Sequence, residues 1–456
     1  MGPEYDSPGE VSAICRSPES RTVSAAPGAS PRRRTIGESF SGRHNSLNAL
    51  RLALALMVLV GHAGGLGGFG DVGGINGAGL GTFAVYGFFG ISGFLIAGSA
   101  VRNRPGRYIW QRFLRIFPAF WVCLIVTALF FGILGWMGHH PAQCGLSCYF
   151  GASDSPLGYL YRNWFLPSAY IQQSAIAGTP SGIPLPLSWD GSLWTLFYEF
   201  LCYLGLMALA VSGCLRHRIV TLVGTVGLWA LIVLITLTPS LDDQFNAVRN
   251  AVIMSLFKFA AVFLVGAVIY LYRDRIPDSG WLALGCSVVF VASLWLPNGT
   301  LPDGSARDPL LWFTDSDLLA PLVAYPLLWL GIHLPFQRVS ARNDYSYGVY
   351  IYAYPVSQLL AIWGVQRWGY PAYVSLSVVA TIPFAVASWW LIEKRALSLK
   401  KLELKSLPPR IRGIDRQAAR SVRDGVPDGV PLESEKASTD SPIGTSTAAI
   451  PSRQGE

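Results

Sequence analysis

Charged residues are scarce in this sequence. Only 14% of its 456 residues are Asp, Glu, Lys or Arg, whereas soluble domains average about 25%. This scarcity excludes an ordinary soluble domain, whose solvated surface requires more charge. Hydrophobic residues make up 51% of the chain and form runs of about 18 or more, which are typical of transmembrane helices. The sequence therefore predicts an all-α, polytopic membrane protein lying in a lipid bilayer.

Other absences narrow the class further. The net charge of +8 does not indicate nucleic-acid binding, because the basic residues lie in short loops between apolar runs. No apolar run near Met1 resembles a cleaved signal peptide, so the first span is expected to remain as an anchor. No internal repeat of the kind common in transporters is visible.

Ten apolar segments of about 20 residues predict a bundle of about ten transmembrane helices. They cover residues 46–64, 80–100, 113–135, 192–212, 219–238, 250–271, 281–297, 310–332, 344–364 and 371–392. The membrane domain is predicted at 46–395. Residues 1–45 and 396–456 are polar and rich in Ser, Pro and Gly, which favours a disordered N-terminal segment and a largely disordered tail.

The distribution of Lys and Arg predicts the orientation. Basic residues occur before the first span, after the last, and in every second loop, as the positive-inside rule requires for cytoplasmic segments. Both termini are therefore predicted to lie in the cytoplasm, and the protein to lie in the cytoplasmic membrane. The opposite loops include one at 136–191 with Cys144 and Cys148, which form either a disulfide or two free thiols.

Glycine is concentrated between the first two spans. Residues 61–81 hold eleven glycines. The segment is either a loop whose backbone closes over a site or a flexible connector, and the sequence does not decide between them.

Ionisable residues within the spans indicate function, because a charge is costly at membrane depth. Arg51 and His62 share the first span, and eleven residues of helix place them on one face about 16 Å apart. His62 is either a functional imidazole or a hydrogen-bonded core residue. Glu199, in the outer half of the fourth span, is predicted to orient His62 or to stabilise its protonated form. The alternative is an interhelical hydrogen bond from a protonated Glu199.

Two further pairs of residues are three positions apart, the spacing that places side chains on one face of a helix. Arg112 and Arg115 begin the third span with their guanidinium groups aimed the same way, which suits either a phosphate or simple anchoring at the membrane surface. Tyr347 and Tyr350, in the ninth span, either contact a sugar in a polar cavity or pack between helices. Together the charges suggest an inner cationic layer for an anionic cytosolic donor and an outer layer for proton transfer.

The same residues resemble the acyltransferase 3 family of bacterial membrane O-acyltransferases over about 45–395. The family pattern LDGLRxxAxxxVxxxH is similar to the sequence from Leu47 through Arg51 to His62. FFxISGFLI matches residues 88–96, RxxRIxP matches residues 112–118, and SLWxLxxE ends at Glu199. The chain departs from the family at three positions. Asn48 replaces the usual Asp, Ala353 replaces a His found in many members, and Lys394 replaces a Pro.

The resemblance implies transfer of an acyl group, commonly acetyl, from cytosolic acyl-CoA to a hydroxyl of an envelope glycan or glycolipid. It assigns Arg51, Arg112 and Arg115 to the CoA donor and His62 to the role of catalytic base, with no metal. Whether transfer is direct or passes through an acyl-histidine is left open.

Two other functions compete with this interpretation. A transporter or flippase for a lipid-linked sugar would also use intramembrane charges, and acyl-CoA binding would argue against it. A structural or signalling membrane protein is the third hypothesis, but His62 and the two charged layers disfavour it.

Overall fold

A computed structural model describes residues 34–401, apart from 43, 71, 76–78, 140–144, 167–171, 239–250, 296–317 and 341–342. Throughout these residues the chain is helical or irregular, without a β-sheet. The predicted disordered segments, 1–45 and 396–456, fall largely outside this range. That expectation therefore stays a prediction for residues 1–33 and 402–456.

Fifteen α-helices occur in the described part of the chain. They are α1 (Ile36–Ser39), α2 (Leu47–Leu66), α3 (Leu80–Arg102), α4 (Pro105–Val126), α5 (Gly132–His139), α6 (Leu146–Gly151), α7 (Pro156–Asn163), α8 (Trp194–Val211), α9 (Arg218–Leu237), α10 (Ala251–Leu271), α11 (Gly280–Ser293), α12 (Ala324–His333), α13 (Ser346–Ile362), α14 (Tyr370–Ala387) and α15 (Lys394–Ser398). Short π-helical segments at Thr127–Phe131 and Ser388–Glu393 join α4 to α5 and α14 to α15.

Seven helical stretches of the described residues are long and apolar enough to cross a membrane. They are Leu47–Leu66, Leu80–Arg102, Pro105–Gly138, Trp194–Val211, Arg218–Thr236, Val252–Leu271 and Tyr370–Ser398. The remaining three predicted spans contain the shorter helices α11, α12 and α13, of 14, 10 and 17 residues. The all-α polytopic class is confirmed, whereas the number of ten spans remains a prediction.

One short segment before the first span differs from the predicted disorder. Residues 34–42 include α1, whose first turn is closed by reciprocal hydrogen bonds between Thr35 and Glu38. The backbone N–H of Ile36 donates to the carbonyl of Ile276 at 3.0 Å, and the Ile36 side chain is fully buried. A capping box and one buried apolar side chain are enough to order so short a helix against its neighbour.

Helices α3 and α10 pack closely against each other through glycines. A Cβ added at Gly93 would lie 1.9 Å from the carbonyl oxygen of Phe263, and one at Gly266 would lie 2.1 Å from that of Gly90. Small residues allow two helix backbones to approach in this way. The residues 88–96 that carry part of the family resemblance therefore serve this packing.

The segment between α5 and α8 is tied to the bundle by buried polar contacts. The Tyr159 hydroxyl donates to Asp190, and the Trp189 indole N–H donates to the Thr179 hydroxyl at 3.1 Å. Burial raises the pKa of Asp190 to about 7, against the opposing effect of the hydrogen bond from Tyr159. Cys148 is disulfide-bonded. Cys144 lies outside the described residues, so the pairing of these two cysteines stays a prediction.

Candidate active site

The three arginines singled out in the sequence line one cavity of about 280 Å³, which we call the arginine cavity. Helix α2 carries Arg51 and helix α4 carries Arg112 and Arg115, one turn apart. Asp344, just before α13, and Lys400, after α15, complete its charged lining. Four cations thus surround one carboxylate, which gives this cavity a net positive charge.

Asp344 organises two of these arginines. Its Oδ2 atom lies 3.0 Å from Nη1 of Arg51 and 2.6 Å from Nη2 of Arg115. Its Oδ1 atom accepts a hydrogen bond from the backbone N–H of Ser346 at 3.2 Å. Arg115 also approaches Glu393, at 3.6 Å, in the π-helical segment before α15. Charge-assisted contacts of this kind hold the guanidinium groups in fixed directions.

The structure compensates for Asn48, which replaces the Asp of the family pattern. The Asn48 side-chain amide donates to the carbonyl of Ser340 at 3.1 Å, and Arg51 takes its carboxylate partner from Asp344 instead. Asn48 also lines the arginine cavity. The missing Asp of the family pattern therefore does not leave Arg51 without an acidic partner.

Arg112 and Lys400 occupy a strongly electropositive environment. The Arg112 guanidinium lies 6.0 Å from the ring centre of Tyr108 and 5.8 Å from that of Tyr203. Burial, together with the positive charges of Arg115 and Arg112, lowers the pKa of Lys400. An anion entering the arginine cavity would relieve this repulsion, and Arg and Lys are the residues that bind phosphates.

A smaller cavity, the central cavity, adjoins the arginine cavity. It measures about 40 Å³ and is lined by Arg51, Glu199, Tyr347 and Tyr350 among others. Glu199, on α8, accepts hydrogen bonds from the hydroxyls of Tyr203 and, at 3.3 Å, Ser92. These partners hold the Glu199 carboxylate, which lines the central cavity together with Arg51.

The largest of the three, the histidine cavity, measures about 580 Å³. His62 lines it near the end of α2, with its ring edge-to-face against Tyr354 at a centroid distance of 5.3 Å. Gly61, Gly65, Gly70, Gly79 and Gly81 border the same cavity. Part of the glycine-rich stretch is therefore helical and lines a cavity, whereas a loop that closes over a site stays a prediction.

The two tyrosines predicted to bind substrate are held by hydrogen bonds. The Tyr347 hydroxyl donates to the carbonyl of Ile116 at 2.9 Å, and that of Tyr350 donates to the carbonyl of Ser192 at 2.8 Å. Tyr347 lines the central cavity only, whereas Tyr350 lines the central and histidine cavities. Their rings therefore both pack between helices and border a cavity.

The structure gathers the sequence-predicted residues into two places rather than one. Arg51, Arg112 and Arg115 share the arginine cavity, and His62 lies in the histidine cavity. Glu199 was expected beside His62, but it lines the central cavity with Arg51, and its hydrogen bonds are with Ser92 and Tyr203. The cavities adjoin. Arg51 lines both the arginine and the central cavities, and Thr195 and Tyr350 line both the central and the histidine cavities.

Four ionisable residues of this region had no part in the sequence-based site, and one of them is Lys400 of the arginine cavity. Asp344 and Glu393 are the acidic partners of the arginines, and Lys258 lines the histidine cavity. Lys258 could have been identified from the sequence, because it is the single charged residue in the apolar sequence of α10. The sequence does not pair Asp344 with Arg51, since the two residues are 293 positions apart.

These features define a multi-pass, all-α membrane protein whose ionisable side chains face internal cavities. The model of a family described as "Acyltransferase domain" matches residues 44–390. The chain therefore belongs to the acyltransferase 3 family, and it is an acyltransferase that transfers groups other than aminoacyl groups. The residues that line the three cavities fall within the matched range, apart from Leu397 and Lys400 of the arginine cavity.

Two curated relatives agree with this family. An O-acetyl transferase of Shigella phage Sf6 is 28% identical over 357 residues, covering 78% of this chain and 97% of the relative. Nodulation protein 10 of Rhizobium leguminosarum bv. viciae is 28% identical over 385 residues, covering 80% of this chain and 96% of the relative. No solved structure matches the chain. Membrane O-acyltransferase activity is thus supported by both the family and a relative.

Proposed function

We propose that this protein transfers an acetyl group from cytosolic acetyl-CoA to a hydroxyl group of an envelope glycan or glycolipid. It would act in the cytoplasmic membrane with both termini in the cytoplasm. The arginine cavity then faces the cytoplasm and the histidine cavity faces the opposite side. The name of the phage relative, O-acetyl transferase, supports the choice of acetyl.

The observation that carries this proposal is the order of the three cavities. Arg51 borders the arginine and central cavities, and Tyr350 borders the central and histidine cavities. An anionic donor bound by Arg51, Arg112 and Arg115 can therefore extend its narrow pantetheine arm past Glu199 toward His62. Guanidinium groups suit the phosphates of CoA, because each offers several donors in a fixed plane.

His62 is assigned the role of general base. Its imidazole takes the proton of the acceptor hydroxyl while the acceptor oxygen attacks the thioester carbonyl carbon. The carbon–sulfur bond then breaks, and the proton passes from His62 to the leaving CoA thiolate. The products are an acetyl ester and CoA with a free thiol, so atoms and charge balance. An acetyl-histidine intermediate is the alternative route to the same products.

Three other site residues receive supporting roles. Tyr350 borders both the central and the histidine cavities, so we assign it contacts with the acyl chain and with the acceptor. Tyr347 lines the central cavity, and its ring centre lies 5.6 Å from the guanidinium carbon of Arg115. Glu199 faces the donor path, and its negative charge would act on His62 only across the bound substrates.

The first experiment uses a deletion strain complemented with the wild type, His62→Ala or the control His217→Ala. His217 is an exposed residue at the start of α9, away from the three cavities. Mass spectrometry of envelope glycans reports the O-acyl groups, and immunoblotting of membranes reports insertion. We expect one O-acetyl group to disappear on deletion and to return with the wild type and His217→Ala. His62→Ala should insert normally without restoring it.

Other outcomes reject parts of the proposal. Full restoration by His62→Ala would exclude His62 as the base. If the deletion leaves every acyl group in place and an unexported glycan precursor accumulates, the transporter hypothesis replaces the enzyme. The mass lost on deletion identifies the acyl group, so a longer chain than acetyl would correct the donor.

A further inference from the structure

The contact between His62 and Tyr354 brings a buried aromatic ring to the proposed general base. The two ring centres lie 5.3 Å apart and the ring planes are inclined by 73°, an edge-to-face arrangement. Tyr354 stands in the middle of α13 and is only 4% exposed. Glu199, the residue expected to orient His62, accepts hydrogen bonds from Ser92 and Tyr203 instead. Tyr354 is therefore the candidate that takes over this role.

The Tyr354 side chain is itself fixed by the segment that precedes α8. Its hydroxyl donates a hydrogen bond to the Ser188 hydroxyl oxygen at 3.2 Å. Its ring packs on the backbone of Gly191, where an added Cβ would lie 2.5 Å from two of the ring carbon atoms. The Gln358 side-chain amide, one turn further along α13, donates to the carbonyls of Leu185 at 2.9 Å and Ser188 at 2.6 Å. A turn of the Tyr354 ring would therefore break contacts with this segment.

A fixed ring can select one orientation of a neighbouring imidazole. Aromatic pairs favour edge-to-face contact, because the face of a ring carries partial negative charge and its edge partial positive charge, and this preference amounts to about twofold to tenfold in population. A general base must also lie within hydrogen-bond reach of the proton that it takes. His62 lines the histidine cavity, so the orientation that Tyr354 favours decides how the imidazole nitrogens face an acceptor there.

The position of Tyr354 argues against direct chemistry by its own hydroxyl. That hydroxyl donates to Ser188, and Tyr354 is not one of the described residues that line the three cavities. Any effect of Tyr354 on the reaction must therefore pass through the residue that its ring contacts, which is His62.

We propose that Tyr354 is the positioning residue of His62, a role that the sequence predicted for Glu199. Its ring holds the imidazole in the orientation in which one nitrogen faces the hydroxyl group of the acceptor. The Tyr354 hydroxyl anchors the ring to Ser188 and takes no part in proton transfer. The inference rests on the proposed function and adds to it the contact that orients the general base.

The test compares Tyr354→Leu, Tyr354→Phe and a matched control, Tyr352→Leu, in membranes from a deletion strain. Tyr352 is also a buried tyrosine of α13, but its ring packs on Phe384 at a centroid distance of 5.6 Å, and it is not among the residues that line the histidine cavity. Transfer of label from radiolabelled acetyl-CoA to endogenous acceptor is measured. Rates are divided by the amount of folded protein, which size-exclusion chromatography in detergent reports.

Removal of the ring should lower kcat without weakening the donor site. Tyr354→Leu should lower kcat by about tenfold to hundredfold, the effect of a misplaced catalytic group. Its KM for acetyl-CoA should stay within about twofold of the wild-type value, because the donor occupies the other cavities. Tyr354→Phe keeps the ring and should stay close to the wild type, as should Tyr352→Leu. If Tyr354→Leu does not insert, Tyr354→Met fills a similar space without a ring and carries the same expectation.

Four outcomes overturn the inference. One is a wild-type kcat in Tyr354→Leu, and another is a large rise in its KM for acetyl-CoA. An equal loss in Tyr354→Phe would assign the effect to the hydroxyl, and an equal loss in Tyr352→Leu would assign it to the packing of α13.

The same assay separates failure of the inference from failure of the proposed function. If His62→Ala is inactive while Tyr354→Leu has the wild-type kcat, only the inference fails. If the wild type labels no product, or if His62→Ala keeps the full rate, the proposed function itself fails and the inference falls with it.

Discussion

At the scale of single residues, Asp344 is the contact on which the proposed donor site depends. Its side chain is 13% exposed and shares one oxygen between Arg51 and Arg115. Asp344→Asn keeps the shape but removes the charge, so the two guanidinium groups repel each other and turn away. We expect the KM for acetyl-CoA to rise by about tenfold or more, as for loss of a charge-assisted hydrogen bond. The catalytic constant kcat should change less, since Asp344 does not contact the reacting atoms.

Steady-state kinetics on membranes, with acetyl-CoA as the varied substrate, measures this split. Asp274→Asn is the matched control, because Asp274 is 58% exposed and contacts Arg273 at 3.6 Å outside the cavities. Exposed ion pairs contribute little, so this control should behave as the wild type. An unchanged KM in Asp344→Asn would show that Arg51 and Arg115 need no carboxylate to bind the donor.

Lys400 should make donor binding depend on pH. Burial and the neighbouring arginines lower its pKa, so it loses its proton at a lower pH than an ordinary lysine does. As pH rises, the arginine cavity therefore loses one positive charge before an ordinary lysine would titrate, and the KM for acetyl-CoA should rise. Lys400→Arg keeps its charge throughout and should flatten this alkaline rise. An identical pH profile in both proteins would remove Lys400 from the donor site.

Which site residues the sequence could reveal depends on how near their partners lie along the chain. Arg112 and Arg115 were recognisable because a helical spacing places them on one face. Lys258 could have been found in the same way as His62, as a charge within a predicted span. Asp344 could not, because only the folded bundle brings α13 beside α2 and α4. Of the two contacts of Glu199, the one with Ser92 likewise comes from another helix, α3, whereas Tyr203 lies one turn away on α8 itself.

At the scale of helices, the α3–α10 contact requires glycine. A methyl group at Gly93 would meet the Phe263 carbonyl oxygen at 1.9 Å, and a backbone atom can move aside only if the whole helix shifts. Gly93→Ala should therefore lower the free energy of unfolding by about 1–3 kcal/mol, the usual cost of overpacking. The apparent melting temperature of the detergent-solubilised protein, followed by size-exclusion chromatography after heating, should fall.

Gly205 provides the matched control for this substitution. It lies within α8, and no atom lies within 4 Å of a Cβ added there. Gly205→Ala should keep or slightly raise the melting temperature, since alanine favours a helix by about 0.5–1 kcal/mol. Equal melting temperatures for Gly93→Ala and Gly205→Ala would mean that the two helices separate without cost.

The positions of the helices could be predicted better than their lengths. Hydropathy located α2, α3, α8, α9 and α10 to within a few residues, because each buries its own backbone polar groups and needs only apolar side chains. It did not anticipate that α11 has 14 residues, or that α4 and α5 form one stretch joined by a π-helical segment. Local geometry of that kind depends on neighbouring helices, which a hydropathy average does not contain.

At the scale of the whole molecule, the cavities follow one another from the arginines to His62. The lining residues shared between them connect the arginine cavity, which we propose binds the donor, to the histidine cavity, which we propose binds the acceptor. The sequence predicted that Arg51 and His62 lie far apart along α2, since eleven residues separate them. The central cavity between them was not foreseeable, because residues from α3, α8 and α13 close it.

This arrangement predicts that donor and acceptor enter from opposite faces of the membrane. In sealed inverted vesicles, whose cytoplasmic face is outward, added radiolabelled acetyl-CoA should label the glycan. In sealed right-side-out vesicles it should not, because the arginine cavity faces the lumen. The acetyl ester made in inverted vesicles should resist an added esterase until detergent opens the vesicles, since the acceptor lies inside. Equal labelling in both orientations would mean that the donor reaches His62 without passing the arginines, and the order of the cavities would then have no part in catalysis.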